Sequence, residues 1–316
     1  MTDRLLSTLI SGRFAIIGTI ILTLLFALIL FCTLPVDNNL LFGFLDGRFS
    51  ILINWGIVTV TATLIVMLNN QYLIIRERTK LTFFFPLFFS TCTLIGSLPY
   101  SYSLAGLCIV GGIFPLFLSY QKDNATEEIF NSAILFSIAS LLNIHLLLCI
   151  PLFYWGFYQF RSLNWRSFFA SLIGFMAPYC MIIGYYLVSG KTELISFPAK
   201  SFITDFNHPT DFAWHVATLL IITLSSSIIA ITQILTNSYH CKIQARIFLQ
   251  FTVWLQIICL LLTYLYPKES LLYIYLFYLS ATPLLAHLFT LLRNKFVSLL
   301  FYLLIAIYLL YFILAL

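Results

Sequence analysis

A chain of 316 residues that is 61% hydrophobic and only 9% charged, with a mean hydropathy of +1.02, carries more apolar surface than a water-soluble fold can bury. Its net charge of +5 comes from basic residues scattered in ones, twos and threes beside apolar runs, a pattern of membrane orientation rather than nucleic-acid binding. Six of the seven cysteines lie inside apolar runs and none forms a C-x-x-C pair, so they read as small core residues and not as disulfides or metal ligands.

A helix that crosses the hydrocarbon core needs about 20 apolar residues. The first such run, 14 to 34, follows Arg4 and Arg13; it is too long for a signal peptide and has no small-x-small cleavage site, so it reads as a retained span. Further spans are expected at 49 to 68, 81 to 98 and 104 to 120. The region 129 to 160 is different, because a single helix of that length would be about 48 Å long against a core of about 30 Å. Asn143, His145 and Pro151 interrupt it, which predicts a broken pair, 129 to 142 and 146 to 160, meeting in the outer half of the bilayer. Spans at 167 to 188, 212 to 235, 247 to 266, 271 to 292 and 296 to 316 complete the set. The expected fold is all-α: a polytopic transmembrane helical bundle of about 11 crossings, one transmembrane domain over 1 to 316 with no separate soluble domain.

Charge tests that count. With the broken pair crossing twice, 12 Lys and Arg fall in loops on the N-terminal side and 4 on the other; with a single crossing there the division becomes 9 against 7. The positive-inside bias therefore favours the pair, and places the N-terminus in the cytoplasm and the C-terminus in the periplasm of a bacterial inner membrane.

All eleven acidic residues fall in loops or at span ends, which argues against a carrier that relies on a midplane carboxylate. Asn54, Gln233, Gln250, Gln256 and Ser225-Ser226-Ser227 read as polar glue between helices, and Ala170 with Gly174 as a close-packing face. Asn143 and His145 are candidate substrate-binding residues because they flank the proposed break. The outer loops collect Asp37, Asp46, Lys191, Glu193, Lys200, Asp205, His208, Asp211, Lys268 and Glu269. There a carboxylate acting as general base beside cations that hold a lipid phosphate would suit Asp37 or Asp46 as catalytic groups, with Lys200 and His208 binding substrate. The commoner role of such loop charges is simple solvation. No phosphate loop, G-x-S-x-G elbow, H-E-x-x-H helix or zinc-spaced Cys/His cluster occurs, so no cofactor and no metal are expected.

The run from Ile129 to Gly190, with Asn164-Trp165-Arg166 and a helix from Gly174 to Pro178, together with Tyr266-Pro267-Lys268-Glu269, resembles a family of uncharacterised bacterial integral membrane proteins. More distantly it is similar to the membrane core of the C-type glycosyltransferases. That second likeness implies a polyprenyl-phosphate-sugar donor and a catalytic carboxylate in the first outer loop, at Asp37 or, as second choice, Asp46. The functional expectation is an envelope-biogenesis protein handling a lipid-linked sugar or polyprenyl carrier. The alternatives are a small-molecule or lipid transporter or flippase, and a non-catalytic subunit of a larger membrane complex. Expected partners are membrane lipids, a polyprenyl-phosphate lipid and other membrane subunits, and no nucleic acid.

Overall fold

The computed structural model describes residues 12, 14–33, 49–75, 79–93, 98–122, 124–190, 214–236, 243–291 and 295–315. They form 11 α-helices: α1 (Ala15–Thr33), α2 (Phe49–Tyr72), α3 (Leu81–Thr93), α4 (Tyr100–Leu118), α5 (Thr126–Leu142), α6 (Ile150–Gln159), α7 (Trp165–Val188), α8 (Trp214–Thr236), α9 (Ile243–Leu265), α10 (Ser270–Leu291) and α11 (Lys295–Ala315). Short 3₁₀ helices, Ile144–Cys149 and Pro267–Glu269, lead into α6 and α10. Seven helical stretches are long and apolar enough to cross a membrane, and Leu81–Thr93, Ile144–Gln159 and Thr218–Gln233 are shorter apolar helices. The chain is an integral, multi-pass membrane protein.

Local chemistry sets several boundaries. Pro99 precedes α4 in extended conformation, and α4 begins directly after it, ahead of the expected residue 104. Asn164 opens α7 through a reciprocal cap in which the Asn164 N–H donates to Ser167 Oγ at 2.7 Å. The break after α5 falls at Asn143, as expected, but Pro151 plays another part: it lies in the first turn of α6, where its missing N–H costs nothing. What interrupts the region is the extended backbone of Asn143 and the 3₁₀ turn behind it.

At the centre stands α10, every side chain of which is buried from Leu272 to Thr290. It is wrapped by α3, α4, α8, α9 and α11. Its tyrosines reach outward to different neighbours: Tyr273 Oη donates to His145 O at 3.1 Å, and Tyr275 Oη meets Thr61 Oγ1 of α2 at 3.2 Å. The outermost helices show the inverse pattern. On α1 the stripe Ile17, Ile21, Leu25, Leu28 is exposed, and α7, which packs on α5, exposes Met176, Met181 and Ile183. An exposed apolar belt around a core threaded with polar bonds is what a hydrocarbon solvent demands. Of the expected glue residues, Asn54, Gln250 and Gln256 with Ser227 bond between helices: Ser103 Oγ donates to Asn54 Oδ1 at 2.7 Å, Gln159 Nε2 to Gln250 Oε1 at 3.0 Å, and Gln256 Nε2 to Ser227 Oγ at 2.9 Å, whereas Ser225 and Ser226 donate to carbonyls of their own helix. On α7 the buried seam is Ser167, Ser171 and Gly174, with Ala170 at its edge.

Contacts between connections define two ends. At the Tyr120 end, the Gln121 N–H donates to Phe160 O at 3.1 Å, Ser119 Oγ bonds Ser162 Oγ at 3.2 Å, and Tyr72 stacks edge-on to Phe248 at 5.3 Å. At the Glu269 end, Asn54 Nδ2 donates to Leu98 O, and Tyr102, Asn143 and Glu269 converge. Both ends of the composite region thus lie at the Tyr120 end, with the break at the other, so α5 goes and α6 returns. Lys80, Lys122, Arg161, Arg166, Arg246 and Lys295 sit in or beside connections at the Tyr120 end; among the described basic residues only Lys268 sits at the opposite end. The Lys122–Glu128 ion pair, at 2.5 Å, is exposed on its lysine side and contributes little to stability.

Candidate functional site

Three segments far apart in the chain meet at the Glu269 end. The Asn143 side chain does two jobs: its Oδ1 accepts the His145 N–H at 3.0 Å, securing the 3₁₀ turn, and its Nδ2 donates to Glu269 Oε2 at 2.7 Å. The Tyr102 hydroxyl of α4 donates to the same carboxylate oxygen. Among the described residues Glu269 is held by two neutral donors, and its Oε1 takes part in neither bond. His145 is buried, fixed through its backbone on two sides, with its ring 5.2 Å from that of Tyr266. An anchored, partly buried carboxylate at the end of a bundle can accept hydrogen bonds from a ligand's hydroxyls, or act as a releasable latch between α4, the chain break and α10.

A cavity of about 50 Å³ lies below this latch, lined by α2, α3, α4, α9 and α10. Along α4 the order is Tyr102, then Ile109 and Ile113 of the lining, then Phe117; along α9 it is Tyr266, then Leu255 and Thr252, then Phe248. Phe117 and Phe248 stack at 4.1 Å and, with Tyr72, Tyr120 and Phe160, close the far end with an aromatic plug. Along these helices the cavity therefore lies between a polar cluster and an aromatic cluster.

Of the expected site residues, Asn143 and His145 are brought together, and with Glu269. Asp37, Asp46, Lys200 and His208 lie outside the described residues. Glu269, read from sequence among the solvated loop charges, is instead bonded across two other segments. Tyr102 was not singled out; a tyrosine near a helix start has no sequence signal beyond its place at a membrane boundary. No group of three or more His, Cys, Asp or Glu among the described residues is arranged to hold a metal ion.

What fold and cluster define together is a class, the polytopic helical membrane protein with a polar closure at one end of its bundle. No protein-family model, curated protein or solved structure matches the chain, so the likeness to the uncharacterised membrane family and to the glycosyltransferase core gains no support from those comparisons.

Proposed function

We propose that this chain is an eleven-crossing protein of a bacterial inner membrane that moves a lipid-linked substrate, of the polyprenyl-carrier kind, through the α4/α9/α10 seam in envelope biogenesis. One observation carries the reading: the seam is closed by unlike devices at its two ends, a carboxylate latch and an aromatic plug, around a cavity lined by buried residues. Broken or short helices at such a path are a recurring feature of transporters, and α3 and the Asn143 break supply two. The side preference of the described cations supports a cytoplasmic Tyr120 end, hence a cytoplasmic N-terminus and a periplasmic C-terminus. A periplasm-active phosphatase fused after Leu316 will be active; an inactive fusion with a fluorescent cytoplasmic reporter there would require an even number of crossings.

Movement is tested in proteoliposomes with a fluorescently labelled polyprenyl phosphate and a labelled phosphatidylglycerol, scoring leaflet exchange by quenching from outside. Protein-dependent exchange is expected for at least one probe, and Glu269→Ala, which frees Tyr102 and Asn143, will change its rate severalfold while Lys295→Ala will not. Absence of exchange for both lipids overturns the carrier reading. The glycosyltransferase reading would take its place if sugar transfer from a polyprenyl-phosphate donor fell by about a hundred- to ten-thousand-fold in Asp37→Asn, the loss expected for a general base.

A further inference from the structure

We infer that the seam cavity is the seat of a single hydrocarbon chain of a membrane lipid. Four of its lining residues are polar, yet each commits an oxygen to nearby backbone and no polar surface faces the space. Asn69 Oδ1 accepts the Ile75 N–H at 3.0 Å, and Thr82, Thr252 and Ser280 donate to Thr79 O, Leu249 O and Phe277 O at 3.4, 2.8 and 2.9 Å. What remains facing the space is methyl, methylene and ring surface from residues such as Ile109, Ile113, Leu255 and Leu279. A water needs two to four polar partners, so this space stays dry and suits only an apolar occupant. The lining runs from Ile109 to Phe117 on α4 and from Leu276 to Pro283 on α10, about 10–12 Å along the bundle axis at 1.5 Å per residue. The surrounding medium of a multi-pass protein supplies such chains in acyl or prenyl form, and the two share this chemistry.

The inference rests on the lipid-carrier reading, and binding is tested apart from movement so that the two can fail separately. The full chain in nanodiscs is illuminated with either of two probes, a phosphatidylglycerol carrying a diazirine midway along one acyl chain or a prenyl phosphate carrying one in its chain, and labelled residues are located by mass spectrometry. Labels are expected at 109–113 and 276–279. Ile113→Trp, which fills the space, will cut them about tenfold, the equivalent of roughly two buried methylenes, while Lys295→Ala leaves them in place. Leu279→Trp serves the same purpose if Ile113→Trp fails to melt cooperatively. The probe that labels more strongly identifies the source as acyl or prenyl. Labels confined to outward residues such as Met176 and Ile183, or undiminished in both filled variants, overturn the chain seat. Labelled cavity without leaflet exchange sinks only the carrier reading, and exchange without cavity labels sinks only the seat.

Discussion

Asn143→Leu will destabilise the protein by about 2–5 kcal/mol, far more than Gln256→Leu. Leucine matches asparagine in bulk but provides neither an acceptor nor a donor. The His145 N–H, buried at the start of the 3₁₀ turn, loses its Asn143 side-chain acceptor, and the Glu269 carboxylate loses a donor. Leaving a buried backbone donor unmade costs about 1–3 kcal/mol and a charged acceptor somewhat more, discounted here because Glu269 is partly solvated. At Gln256 one bond is lost, to a Ser227 hydroxyl whose own proton is already committed to Thr223 O at 2.8 Å, so about 1 kcal/mol or less is expected. His145→Leu should fall between the two, since its bonds to Asn143 and Tyr273 are made by backbone atoms and survive the change. Thermal melts of the three variants in the same detergent decide the ranking, and equal melting temperatures for Asn143→Leu and Gln256→Leu would remove the special standing of the chain break.

Gly174→Val will loosen α7 from the bundle, whereas Gly184→Val on the same helix will be tolerated. A Cβ at Gly174 would lie 2.8 Å from the Phe130 carbonyl oxygen and 2.9 Å from Ala133 Cβ, both on α5 and neither able to swing aside. A Cβ at Gly184 meets nothing within 4 Å. Relief at Gly174 needs a backbone shift of the whole helix, and overpacking of this kind costs about 1–3 kcal/mol for a small addition and more for a branched one. The same shift would strain the bonds Ser137 Oγ to Phe175 O at 2.7 Å and Ser140 Oγ to Tyr179 Oη at 2.8 Å, which cross the same interface. Limited proteolysis of the α6–α7 connection, together with melting temperature, reports the outcome; similar values for the two valine variants would mean that α7 does not rely on close approach at Gly174.

Helix positions were legible in the sequence because hydrocarbon leaves the backbone one local solution: an apolar run of sufficient length must close its own hydrogen bonds as a helix. Each expected span from 14–34 to 296–316 has a helical counterpart, and the break at Asn143 was legible too, because a run of that length without a break outreaches the bilayer. Charge along the chain carried the asymmetry of the two ends, since basic residues are counted loop by loop without knowing which helices touch. Packing was not legible in the same way. That α10 is the enclosed helix and α7 an outer one follows from which faces meet, and both read as equally apolar runs. The Tyr102, Asn143 and Glu269 cluster joins residues 126 and 167 positions apart, and a carboxylate flanking a span is written identically whether water or two neutral donors surround it. Local hydropathy decided what was helix; only the docking of α4, the chain break and α10 decided that Glu269 is a latch, because hydrogen bonds between distant segments exist only once helix packing has brought them within reach.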